Sequence, residues 1–317
     1  MKKTKSMRYY YGNLHAHTNF STGQGTPYYD YSYSKRNHLD FLAVTDLNSY
    51  LISYSKWQNT LKMMERFKKN CSDFAPLNGF EVKSNFGDLS IINCDKFFTG
   101  VIKNINLLVL WMINNKNAIV TIVSPTEKIL SIGYSKPLDN IITSYEVCTG
   151  IYPKKYFRNE KYYYKLLDKG FKLGAINGQD NHILNFGSSE NATCIISESL
   201  RTECVIDALR NRRCYSTESR TLRFYFRIDD CFMGGIFTPV KKSINFEIFA
   251  QDIRLDIVTI EIVSSNNTIV KRITNINLKS VKYMYRHERE EFEKWFVIRI
   301  YQKNNRVAIS SPVFISD

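Results

Sequence analysis

Near residue 220 the hydrophobic pattern of this 317-residue chain changes period, and that change limits the folds open to it. Before it, short apolar runs alternate with helical stretches. Phe41-Leu42-Ala43-Val44-Thr45, Ser90-Ile91-Ile92, Ala118-Ile119-Val120-Thr121-Ile122-Val123 and Leu173-Gly174-Ala175-Ile176-Asn177 read as strands. Trp57, Leu61, Met64 and Phe67 share one face of a helix, a second helix is predicted from Lys154 to Lys169, and Leu107 to Ile113 reads as a buried helix. Continuous apolar strands alternating with helices belong to a parallel sheet or barrel covered on both faces.

After residue 220 the period is two. Leu222, Phe224, Phe226 and Ile228 alternate with polar positions, as do Ile244, Phe246 and Ile248, then Val258, Ile260 and Ile262, then Phe296, Ile298 and Ile300. Asp229-Asp230, Gly234-Gly235, Asn266-Asn267 and Asn304-Asn305 supply turns between them. That pattern predicts antiparallel strands with one face buried. The chain is therefore expected to divide into an α/β region, residues 1–220, and a small antiparallel β-sandwich-like domain, residues 221–317, with a tight boundary between Thr217 and Leu222.

Composition excludes several classes. Hydrophobic residues make up 44% and charged residues 23%, and no run reaches the ~18 apolar residues of a membrane span. The basic Met1-Lys2-Lys3-Thr4-Lys5 leads into Tyr9-Tyr10-Tyr11 instead of an apolar signal core, so a cytoplasmic location is expected. Seven scattered cysteines without C-x-x-C pairing suit reduced thiols. The net charge of +14 is spread along the chain without a stripe or a reader motif, which argues against a nucleic-acid partner.

Chemistry enters with Leu14-His15-Ala16-His17-Thr18, directly after the first predicted strand. Two histidines two apart on extended backbone point to one side and can reach one metal ion. Further candidates stand at successive strand ends: Asp46 after Phe41 to Thr45, Glu81 after Gly79-Phe80, and Asp180 with His182 after the Leu173 strand. Imidazole nitrogen with carboxylate oxygen suits Zn²⁺, Mn²⁺ or Fe²⁺.

Taken together, Gly12-Asn13-Leu14-His15-Ala16-His17-Thr18, Asp40 to Asp46, Gly79-Phe80-Glu81-Val82 and Gly178-Gln179-Asp180-Asn181-His182 resemble the polymerase and histidinol phosphatase (PHP) superfamily in order and spacing. The resemblance continues through Ile206 to Thr217 and into the closing Ala308-Ile309-Ser310-Ser311-Pro312-Val313, as in the CehA/McbA-type branch. It implies a distorted seven-stranded (β/α) barrel with a metal cluster at the carboxyl ends of its strands, and hydrolysis of phosphoesters or other esters. It implies a first metal site of His15, His17, Glu81 and Asp180, with Glu81 able to bridge to a second ion. His182 would serve a further ion and Asp46 the shell around the cluster, the two being the expected catalytic residues.

The chain departs from the family pattern in places. Asp46-Leu47 stands where Asp-His is usual, Ser124-Pro125 where His-Pro is usual, Gly87-Asp88 for Gly-His, and Ser21-Thr22-Gly23 for Ser-Asp-Gly. One or two ions are expected instead of three, with Asp88 as an additional ligand that shifts preference toward Mn²⁺ or Mg²⁺. Fewer ions clamp developing charge less well, so Lys83 and Arg36 are candidates for a compensating cation. The expected activity is a metal-dependent phosphoesterase acting on a small or nucleotide-like phosphate ester. The alternative is a degenerate member that binds or regulates with little turnover.

Overall fold

The computed structural model describes residues 7–316, so the basic residues 1–5 lie outside the described part. The first region carries β1 (Arg8–Asn13), α1 (Pro27–Arg36), β2 (Phe41–Leu47), α2 (Tyr54–Asn70), β3 (Ala75–Ser84), β4 (Gly87–Ile92), α3 (Ile105–Ile113) and β5 (Ile119–Val123). It continues with α4 (Lys136–Ile141), β6 (Ile142–Gly150), β7 (Tyr156–Arg158), α5 (Glu160–Asp168), β8 (Gly174–Gly178), β9 (Ala192–Ser197), α6 (Thr202–Arg210) and β10 (Cys214–Thr217).

The result is a mixed α/β fold built on a curled sheet. β1, β2 and β3 run parallel, β4 lies antiparallel between β3 and β5, and β5, β6 and β8 are parallel again. The curl brings the ends of this run together: just past β1, Ala16 bridges Asn181, just past β8, and the His17 N–H donates to the Asn181 carbonyl at 2.9 Å. All seven residues of β2 except Leu47 are fully buried, as its unbroken apolar run requires.

The period-two region supplies β11 (Leu222–Ile228), β12 (Cys231–Phe232), β13 (Ile236–Phe237), β14 (Ser243–Asp252), β15 (Ile257–Ser264), β16 (Thr268–Ile273), β17 (Ser280–Glu288), β18 (Trp295–Gln302), β19 (Arg306–Ser310) and β20 (Val313–Ile315). β11, β12, β14 and β17 form a sheet of their own. Its inner residues Phe224, Phe226, Ile244 and Ile248 share a core with Ile260, Ile298 and Ile300. β15, β16 and β18 to β20 join the large sheet instead, because β19 pairs with β10 and β10 with β9. Past residue 220 the chain thus enters a separate sheet with β11 and rejoins the large sheet through β13, β15, β16 and β18 to β20. A second tie is Trp295, whose indole stacks on Tyr164 of α5 at 5.5 Å and donates to Asp168 at 2.9 Å.

Three local expectations are corrected. The helix expected from Lys154 begins only at Glu160, since Tyr156–Arg158 pairs with β6 as β7. The apolar run in α3 buries only Leu108 and Met112, an i, i+4 stripe, and leaves Leu107, Leu110 and Ile113 exposed, because one helix face alone meets the sheet. In β15 a register shift between Ile257 and Thr259 turns Ile257 inward where the alternation placed Val258. All seven cysteines are free thiols, and no helix among the described residues is long and apolar enough to cross a membrane.

Candidate metal centre

The site is organised by Asn13, the last residue of β1. Its side-chain oxygen accepts the His15 and Gln179 N–H groups, and its amide donates to the His15 carbonyl and to Asn181 Oδ1. One buried side chain therefore fixes the segment bearing both histidines against the segment bearing Asp180. Asp180 itself has φ 49°, the left-handed region that aspartate tolerates better than most residues.

His15 and His17 are buried, and their Nε2 atoms face the same two carboxylates. His15 Nε2 lies 3.0 Å from Glu81 Oε2 and 3.3 Å from Asp180 Oδ1. His17 Nε2 lies 3.2 Å and 3.3 Å from the same two oxygens. Tetrahedral coordination with bonds of about 2.0–2.2 Å puts neighbouring donor atoms about 3.3–3.5 Å apart. The four observed edges equal that spacing or fall a few tenths inside it, and His15, His17 and Glu81 converge as one donor group with Asp180 within reach of both imidazoles, so the residues present fit a divalent ion.

Electrostatics favour the same occupant. Burial pushes Glu81 up, but the hydrogen bonds and charges of His15 and His17 prevail and hold it at about 2. Asp180 is likewise held below the usual carboxylate range against its burial, chiefly by His15 and His17. Burial pushes the His15 imidazole down, yet Glu146 and Asp180 more than offset it and raise it well above the ordinary value. For His17, burial is outweighed by Asp180 and Glu81, and the net shift is upward. The cage thus demands positive charge, which the imidazoles supply when no cation does.

Glu146, in the middle of β6, was missed by the sequence reading. It is fully buried and accepts from His15 Nδ1 at 2.9 Å, from the Ser124 N–H at 2.8 Å and from the Thr149 hydroxyl at 2.9 Å. Because that carboxylate only accepts here, His15 Nδ1 carries the proton and Nε2 is free to ligate. The signal available was a lone acidic residue among Ile142, Tyr145, Val147 and Cys148 in a segment that the structure buries throughout. Gly178 belongs to the same arrangement, since a Cβ there would come 1.7 Å from Glu146 Oε1.

The remaining expected residues divide. His182 is brought in: its Nε2 is 3.2 Å from Asp180 Oδ1, its ring stacks on His17 at 4.4 Å, and Thr22 Oγ1 meets its Nδ1 at 3.0 Å. His17, Asp180 and His182 form a second group of converging donors, beside the first of His15, His17 and Glu81. Asp46 is also close, but its oxygens are taken by the Thr18 N–H at 2.8 Å, the Thr18 hydroxyl at 2.6 Å and the Ser21 hydroxyl. Ser21 Oγ lies 3.5 Å from His17 Nδ1, so Ser21 links Asp46 to the cage.

Asp88 belongs to neither donor group; it pairs in register with Lys83, and burial followed by the charge of Glu81 raises its pKa. Leu47 lies in register with Glu81 and offers no donor atom, while the Ser124 N–H is committed to Glu146. Of the two candidate cations, Lys83 faces Asp88, and the Arg36 guanidinium lies over the rings of Tyr29 and Tyr33.

Asp180 opens onto solvent. Two adjoining clefts of about 410 Å³ and 430 Å³ share Asp180, Thr149 and Phe157, and one of them includes His182.

No family model matches the sequence, and no curated protein matches it. A solved structure does. It is a two-domain protein from Bacteroides vulgatus described as containing a predicted PHP-like metal-dependent phosphoesterase, 12% identical, aligned over 93% of this chain and 90% of its own, with a TM-score of 0.54. This chain has a PHP-like fold. A metal-dependent phosphoesterase candidate from Bifidobacterium adolescentis aligns over 54% of this chain and 87% of its own at 11% identity, with a TM-score of 0.38. An amidohydrolase from Chromobacterium violaceum aligns over 54% of this chain and 87% of its own at 13% identity, with a TM-score of 0.33. In the PHP-like fold as this chain builds it, the donor cage stands just past the carboxyl ends of β1 and β8 and against Glu81 within β3.

Proposed function

We propose that the chain is a metal-dependent hydrolase, a phosphoesterase acting on a small or nucleotide-like phosphate ester. The observation that carries this reading is the meeting of His15, His17, Glu81 and Asp180 at donor–donor distances of 3.0–3.3 Å beside an open cleft. In this reading the curled sheet is a distorted seven-stranded barrel, residues 1–220 hold the site, and residues 221–317 form a β-domain completing the fold. The protein works in the cytoplasm, with one or two ions of Zn²⁺, Mn²⁺ or Fe²⁺.

His15, His17, Glu81 and Asp180 would hold the first ion, and His182 with Asp180 would hold or border a second. A bound divalent ion lowers the pKa of a water molecule and draws charge from a phosphoryl oxygen. The chain's own part is separable from that. Glu146 fixes the tautomer of His15, and Asp46 acts as a positioning residue for His17 through Ser21. His182 lies at the cleft edge with its Nδ1 on Thr22, and where its Nε2 is not taken up by a second ion it would exchange a proton with the departing oxygen.

Leu47 and Ser124 favour a second reading, a protein that binds metal without efficient turnover, since neither offers a side chain suited to a further transition-metal ion. Turnover of a chromogenic phosphomonoester with added Mn²⁺ separates the two. Activity that His17→Ala abolishes supports the hydrolase. Bound metal with no turnover across a broad panel of esters supports the second reading.

A further inference from the structure

β7 is the short edge strand beside the cage, and it presents an aromatic ring to water. Thr149 of β6 pairs in register with Phe157 of β7, so the two side chains share a face. Thr149 is directed to Glu146 behind the metal cage, while Phe157 lines the clefts and is 65% exposed. Phe157 and Asp180 line both clefts. Beyond Phe157 the walls are partly apolar: Ile151 and Ile183 on one side, Pro125 and Tyr162 on the other. An exposed phenyl ring beside a polar cage is a surface that a flat apolar group would cover favourably, through both area and ring geometry.

We infer that Phe157 is a specificity-determining contact, stacking the planar apolar part of a substrate whose phosphate would meet the ion held beside Asp180 and His182. The substrate class is then an aryl phosphate ester, with its ring between Phe157 and the Ile151/Ile183 or Pro125/Tyr162 wall. Alkyl esters lack a face for the ring and gain nothing from it. The inference rests on the hydrolase reading for the position of the phosphate.

The test is calorimetric titration of the Mn²⁺-loaded protein with two non-hydrolysable probes, methylphosphonate and phenylphosphonate. Phenylphosphonate is expected to bind about threefold to tenfold more tightly, the gain of an added aromatic pair. Phe157→Ala should erase that preference with bound metal unchanged, and Phe157→Trp should retain it. Equal affinities in the parent protein, or a preference that survives Phe157→Ala, overturn the inference while leaving the hydrolase reading intact. Binding of neither probe by metal-loaded protein overturns both.

Discussion

His15 and Glu146 are joined by a 2.9 Å hydrogen bond from Nδ1 to Oε1, and that bond decides which imidazole nitrogen faces the cage. With the proton held on Nδ1, Nε2 turns to Glu81 and Asp180. The Ser124 N–H and the Thr149 hydroxyl hold Glu146 in place, so β5 and β6 support a ligand that belongs to the segment after β1.

Removing that support should weaken metal binding without removing a ligand. Glu146→Ala is expected to lower divalent-ion affinity about tenfold to a hundredfold, as loss of a carboxylate behind a ligating histidine does. It also leaves three donors unpaired, at a cost of about 1–3 kcal/mol each in stability. Competition against a chromophoric chelator measures the affinity, and an unchanged affinity would remove Glu146 from the account.

Gly178 should tolerate no side chain. A Cβ there would lie 1.7 Å from Glu146 Oε1 and 2.4 Å from its carboxyl carbon, and Glu146 is pinned by three hydrogen bonds. Gly178→Ala is expected to destabilise the chain by about 1–3 kcal/mol and to weaken metal binding at the same time. Denaturant unfolding and chelator competition on one preparation check both. A variant of parental stability and affinity would show that Glu146 is free to move.

The site was half legible in the sequence, and the division has a physical cause. His15, His17 and Asp180 follow strand ends, where a parallel arrangement aims side chains into one mouth, so their convergence follows from order along the chain, whereas Glu81 lies inside β3, which runs on to Ser84. Glu146, Asn13 and Gly178 act through contacts between strands distant in sequence, so their roles are not legible locally, although Glu146 stands out as a lone acidic residue in its strand. The period-two strands were legible for the same reason as the strand ends, since alternation is local. Their joining to the large sheet through β10 and β19 was not, because it depends on pairing across about ninety residues, Tyr215 with Ser310 among them. In α3 the apolar run gave the helix but not its exposure, which depends on what packs against it.

A second buried carboxylate sets a pH dependence away from the cage. Asp30 on α1 is fully buried with neither oxygen hydrogen-bonded, and burial, then the nearby charge of Asp46, raises its pKa to about 9. In the unfolded chain it ionises near pH 4, about the ordinary aspartate value. Between those values the native state keeps a proton that the unfolded state has lost. The advantage of the protonated form is therefore fully present below about pH 4 and is lost as pH rises toward 9, by up to ~1.4 kcal/mol per unit. Asp30→Asn removes this slope, so its stability relative to the parent should increase from pH 5 to pH 8. Unfolding of metal-free protein at both pH values measures the change, and parallel curves would refute it.

The most direct measurement is the metal content of the purified chain, by elemental analysis after exposure to Zn²⁺, Mn²⁺ and Fe²⁺ and removal of excess. The account predicts one or two ions per chain, lost in a folded His17→Ala or Asp180→Ala variant. A folded parent protein that retains none of these ions would contradict it.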